Sequence, residues 1–129
     1  MTIQESAEMY METIHILSLK NKNVRAIDIS RYMNFSKPSV SRAMKNLSHE
    51  GYVSIDVNGN ISLTEKGLRI AEGIYEKHRQ LTDFFVRIGI SPETAEEDAC
   101  RIEHVISDET FEAIKKLLKK NRILTVDPV

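Results

Sequence analysis

The chain has 129 residues, 41% hydrophobic and 29% charged, with a net charge of −1; this suits one compact body or two small subdomains and excludes wholesale disorder. No apolar run approaches the length of a bilayer span, and the opening MTIQESAEMYMETIH lacks a basic, apolar-centred leader, so neither a membrane protein nor a secreted one is expected. A single cysteine forms no internal disulfide, and a reducing, cytoplasmic setting is the simplest expectation.

Residues 5–20 predict an amphipathic helix, with Met9, Thr13, Ile16 and Lys20 on one side and Tyr10, Ile14 and Leu17 on another. Asn21-Lys22-Asn23 breaks it. A short helix follows over 26–33, with Ile27, Ile29 and Met33 apolar. Ser36 is a good N-cap, and Pro38 falls in the first turn of the next helix, where a missing N–H costs nothing. That helix runs from about 37 to 49, with Val40, Met44 and Leu47 at core spacing, and Gly51 stops it. Two short alternating runs, YVSID and ISLT, flank Asn58-Gly59, the strongest short hairpin signal. Thr64 caps a long helix that reaches about Ile88 and carries Leu68, Ala71, Ile74, Tyr75, Leu81, Phe84 and Phe85; Gly89 ends it. Ser91, with Pro92 and Glu93 in the first turn, starts a helix that stops near Ile106. Ser107 or Asp108 caps a last helix with Phe111, Ile114, Leu117 and Leu118, and NRILTVDPV forms a flexible tail.

The order predicts a mainly α protein: an N-terminal winged helix-turn-helix with a two-stranded wing, then an all-helical domain. The boundaries are 1–72 for the first, 73–120 for the second and 121–129 for the tail. Charge divides them. Residues 20–50 hold seven basic and two acidic side chains, a net +5, while 91–112 hold one basic and eight acidic, a net −7. The first segment suits a polyanion and the second a cation.

In a helix-turn-helix the start of the second helix reaches the base edges. Here that stretch offers Ser36, Lys37, Pro38, Ser39, Ser41 and Arg42. Arginine pairs bidentately with guanine, whereas the serines and the helix N-terminus suit phosphates. Lys45, one turn on, and Arg25, ahead of the short helix, complete the DNA-facing set. A solvated basic helix face is the plainer account of the same residues. The wing tip, Asn58-Gly59-Asn60, is uncharged and is expected to add little to phosphate binding.

Residues 97–109, EDACRIEHVISDE, place Cys100, Glu103 and His104 three and four apart, on one face of a helix. A thiolate, a carboxylate and an imidazole suit a divalent first-row metal but do not close its coordination sphere. His78, Met9, Glu12 and Glu96 are the candidates for the remaining ligands. Each has an ordinary alternative: Cys100 as a small buried hydrophobe, Met9 as core, His78 as a solvated side chain between Lys77 and Arg79. A thiol enzyme built on Cys100 and His104 is weaker, because nearby carboxylates raise a thiol's pKa and nothing supplies an oxyanion hole. No enzymatic activity is expected.

EMYMETIHIL at 8–17, FSKPSVSRAMKNLSHEGYV at 35–53, LTEKG at 63–67, EKHRQL at 76–81 and EDACRIEHVISDE at 97–109 resemble the diphtheria toxin repressor family, the iron- and manganese-dependent repressors. The resemblance implies a winged helix, a helical dimerisation domain and a homodimer acting on palindromic DNA operators. It places the main metal ligands of iron-type members at Met9, Cys100, Glu103 and His104, and puts His78 at their ancillary site. Thr82 and Glu96 stand where that ancillary site has Glu and His, while Glu12 matches a ligand of the manganese-type members. The chain resembles the short form without an SH3-like domain. Thioether and thiolate ligands favour Fe(II), with Mn(II) second; Co(II), Ni(II) or Zn(II) can substitute in vitro. The implied mechanism is a metal clamp between the first helix and the Cys100 segment that sets the spacing of two recognition helices. A winged-helix regulator without metal, with Cys100 as a redox sensor, is the alternative.

Overall fold

The computed structural model describes residues 3–21 and 23–124. Lys22 and the last five tail residues, 125–129, lie outside them. The elements follow in order: α1 (Ile3–Lys20), α2 (Ala26–Met33), α3 (Lys37–His49), β1 (Val53–Ile55), β2 (Ile61–Leu63), α4 (Glu65–Arg87), α5 (Pro92–Ile102) and α6 (Asp108–Leu124). They form two compact units, Met1–Ile74 and Tyr75–Val129, so the boundary falls inside α4.

The first unit is a winged helix. α1 and α3 both pack on α2, α1 also meets β2, and α3 meets β1. Tyr10, Ile14 and Leu17 of α1, Ile29 of α2, and Val40, Met44 and Leu47 of α3 share one buried core with Val53, Ile61 and Ala71. Burying such side chains stabilises by about 1.5–3 kcal/mol each before the entropy of ordering the chain is counted. The turn between α2 and α3 is set by Asn34, at φ 57° the one non-glycine residue with positive φ among those described. Asparagine tolerates that left-handed state, which lets Phe35 N–H bond back to Ser30 O at 3.2 Å. Ser36 then caps α3, accepting from Ser39 N–H at 3.3 Å.

β1 and β2 pair antiparallel with Val53 opposite Leu63 and Ile55 opposite Ile61. The Asn58-Gly59 signal is realised differently from a two-residue turn. Gly59 N–H bonds to Asp56 O, Asp56 N–H bonds to Asn60 O, each at 3.0 Å, and Gly59 sits at φ +83°. That is the three-residue loop with a left-handed glycine bulge. Thr64 caps α4, its hydroxyl accepting from Gly67 N–H at 3.2 Å and donating to Gly51 O at 2.6 Å. Gly67 has a packing reason: a Cβ there would lie 2.1 Å from the Tyr52 carbonyl oxygen.

In the second unit Leu81 of α4, Ala99 of α5 and Phe111 of α6 are buried together, flanked by Phe85, Ile102, Ile106 and Ile114. Ser91 caps α5 through Thr94 N–H at 3.4 Å, and Ser107, rather than Asp108, caps α6 through Thr110 N–H at 3.1 Å. Two expectations need correcting. α5 ends at Ile102, not near Ile106, because Glu103 is already its C-cap. Residues 121–124, assigned to a flexible tail, continue α6.

Candidate metal centre and nucleic-acid interface

The predicted ligand face falls at the C-terminal end of α5. Cys100 lies on the helix and is exposed. Glu103 leaves the helix at its C-cap, its N–H bonded to Ala99 O at 3.0 Å, and its residue surface is 1% exposed. Val105 and Ile106 N–H groups both return to Ile102 O, at 3.0 and 2.9 Å, so residues 103–106 coil tightly beneath the helix end. Glu103 keeps αR backbone and so its helical spacing from Cys100, but the thiol is exposed and the carboxylate is enclosed.

The carboxylate is instead flanked by imidazoles. Nδ1 of His78, on α4, lies 2.8 Å from Oε2 of Glu103, and Nε2 of His104 lies 3.2 Å from Oε1. The Glu103 side chain has no solvent exposure, and those of His78 and His104 retain 18% and 5%. The solvated reading of His78 is thereby excluded, as is the buried-hydrophobe reading of Cys100. Glu96 stands more openly, its carboxylate 71% exposed and 3.9 Å from His78 Nε2. A buried carboxylate requires a donor or a cation. The 2.8 Å contact between His78 Nδ1 and Glu103 Oε2 is a hydrogen bond. The nitrogen and oxygen donors are of the types that bind divalent ions.

Met9 and Glu12 belong to α1 in the first unit, Met9 half-buried and Glu12 buried at 8% exposure. At the open groove lined by Tyr75, His78, Thr82, Asp83 and Glu96, two polar side chains are engaged within α4. The Thr82 hydroxyl donates to His78 O at 2.7 Å, and Asp83 accepts from Arg87 at 3.0 Å.

On the first unit, Lys37, Pro38, Ser41, Arg42 and Lys45 are exposed on α3, opposite its buried Val40, Met44 and Leu47. Ser36 and Ser39 sit at the helix start with their hydroxyls bonded to each other at 2.8 Å. The stripe is cationic and free of acidic side chains in the first turn, which suits a phosphate backbone and a base edge. Tyr10, just below in the core, has its hydroxyl pKa raised by burial, against a smaller opposing effect of the Arg42 charge. Arg25 lies elsewhere: its guanidinium Nη1 donates to Asn58 O at the wing tip. The wing tip therefore holds a guanidinium that Asn58-Gly59-Asn60 does not itself supply. Sequence reasoning missed Asp56, which orders that tip; an Asp two residues before Asn-Gly is the Asx-turn signal that was available.

Residues 2–59 match the family described as "Iron dependent repressor, N-terminal DNA binding domain", and residues 64–123 match "Iron dependent repressor, metal binding and dimerisation domain". An uncharacterised HTH-type transcriptional regulator of Methanocaldococcus jannaschii is 32% identical over 120 residues, covering 92% of this chain and 96% of that protein. The chain belongs to the diphtheria toxin repressor family of metal-dependent transcriptional regulators. The transcriptional regulator MntR of Salmonella typhimurium is 30% identical over 110 residues, 85% of this chain and 70% of MntR. The solved structure of the manganese regulator SloR superposes with a TM-score of 0.76 at 31% identity, covering 92% of this chain and 55% of SloR. The chain thus spans about half the length of that solved relative. Membership fits both features, a basic exposed face on α3 in one unit and a buried carboxylate–imidazole cluster in the other. No described helix is long and apolar enough to cross a membrane.

Proposed function

We propose that this protein is a metal-activated repressor of iron or manganese homeostasis that binds palindromic operators as a homodimer. The observation that carries the metal half is the Glu103 carboxylate, fully enclosed and within 3.2 Å of two imidazoles. Glu103, His104 and His78 would hold the ion, with Cys100 on α5 of the same unit. A bound divalent cation would supply positive charge that offsets the acidic α5 region. Lys37, Ser41 and Arg42 face the operator, and Arg42 carries base preference. Exposed apolar side chains of the second unit, Val86, Ile88, Val105 and Leu117, support self-association. Metal that favours the DNA-competent population must itself be bound more tightly on DNA, by the same factor.

Fe(II) is the first choice of metal, on the soft thiolate of Cys100. A specific observation favours Mn(II) as the second: the donors brought together within the second unit are oxygen and nitrogen, while the Cys100 thiol is exposed. SloR, a manganese regulator, supports the same reading. The test is anaerobic fluorescence anisotropy on DNA from upstream of the protein's own gene or of metal-transport genes, with chelated protein against protein given Fe(II) or Mn(II). Metal-tightened binding is expected. Equal binding by the chelated protein would sink the metal-activated reading, and the Fe/Mn ratio decides between the soft and hard donor arguments.

A further inference from the structure

The wing tip is organised around two residues that the recognition helix does not need. Asp56 Oδ1 accepts from both Asn58 N–H and Asn60 N–H, at 2.8 and 2.9 Å, and Oδ2 accepts from the Asn60 side chain at 3.1 Å. Gly59, in the left-handed region at φ +83°, then leaves its Cα bare, and a Cβ there would lie 3.1 Å from Nη2 of Arg25. The guanidinium rests on that bare position and gives one of its five donors to Asn58 O. The neighbouring backbone is fixed too: Ile61 N–H bonds to Val24 O at 2.7 Å, and Arg25 N–H to Asp28 at 2.9 Å. On its own, the loop from Asp56 to Asn60 carries one negative charge and would repel a phosphate backbone. With Arg25 seated it is neutral overall and presents guanidinium donors.

We propose that Asp56 and Gly59 are positioning residues for DNA binding that act through Arg25: they shape the wing tip into a seat for its guanidinium, and the wing thereby presents a cation to the phosphates flanking α3. The inference rests on the reading of this unit as DNA-binding. It assigns the wing a role that its own residue types do not announce.

The test is a salt series of operator affinities on the metal-loaded full chain, with circular dichroism as a check that each variant folds. Arg25→Ala should weaken binding about tenfold and reduce the slope of log affinity against log salt by about 1, the loss of one phosphate contact. Asp56→Ala and Gly59→Ala should reproduce that slope change, and each double variant with Arg25→Ala should be no weaker than Arg25→Ala alone. Asp56→Asn keeps an Oδ1 acceptor for both backbone N–H groups and removes the tip's negative charge, so its binding should be at least as tight as wild type and its slope no smaller. Asp56→Ala with an unchanged slope, or losses that multiply in the double variants, would overturn the positioning role. A wild-type slope in Arg25→Ala would overturn the phosphate contact. Failure of the wild-type protein to bind any operator is a different result, since it removes the DNA-binding reading itself.

Discussion

The two units solve the problem of holding together differently. The first closes an apolar core that takes side chains from all three of its N-terminal helices and both strands. Its polar ends are satisfied by local caps: Ser36 on α3 and Thr64 on α4. The second gathers Leu81, Ala99 and Phe111 as a small buried apolar cluster, and it also encloses a carboxylate with two imidazoles. Apolar burial stabilises the first. In the second, an enclosed carboxylate costs desolvation that imidazoles repay only in part, and a divalent cation would repay it more fully. The difference teaches that apolar burial and local caps close one unit, while the other encloses a polar cluster that a cation would complete.

The largest effect should come from Glu103→Gln. The change is nearly isosteric and keeps a hydrogen-bonding oxygen, so the helical content should persist. It removes the charge that would draw the cation. Metal-dependent tightening on DNA should fall at least a hundredfold, to the level of chelated wild-type protein. Isothermal titration and anisotropy together read this, and wild-type metal affinity in the variant would take the site away from Glu103.

A matched pair of core truncations sharpens the contrast. Ile29 and Leu81 are both fully buried, one in each unit. Each truncation to Ala should cost about 3 kcal/mol in chelated protein. Metal should restore Leu81→Ala by about 2.7 kcal/mol at a hundredfold excess over the dissociation constant. Its effect on the first unit in Ile29→Ala should be smaller, read as amide exchange residue by residue. Equal protection of both units by metal would show that the ligand dependence is shared, not confined to the second.

Much of this was legible in the sequence, and the reasons are local. Val40, Met44 and Leu47 recur at helical spacing between a capping Ser36 and a stopping Gly51, and α3 has those bounds within a residue. All six helices and both strands announce themselves in this way. The carboxylate–imidazole cluster was legible by residue type, since Glu103, His104 and His78 were all candidates. Which of them would meet was not: His78 lies on another helix, 25 residues from Glu103, and no periodicity pairs them. The Arg25 seat was hidden for a related reason. Its partners lie 33 residues away in sequence, and a contact that distant leaves no periodic trace.

The smallest effect belongs to the wing, and it tests the first unit's reliance on local caps. Backbone N–H groups of Asn60 and Asn58, the Asn60 amide and the Arg25 charge all favour the ionised Asp56 carboxyl, and hold its pKa below the ordinary aspartate range. The Asn60 backbone bond is the largest of these influences. A depressed carboxyl pKa means that the unfolded state binds the proton more readily, so the contribution to stability is present above about pH 4 and is lost as pH falls through the folded value. Because Asp56 is fully exposed, the change should leave global stability nearly untouched and appear at the tip alone. The amide resonances of Asn58 and Asn60 should titrate together, with a midpoint below about 3.9. In Asp56→Asn they should stay flat over the same range. Resonances that move at the midpoint of a free aspartate would mean that the tip is not held by this carboxylate, and that the wing is ordered by its strand pairing alone.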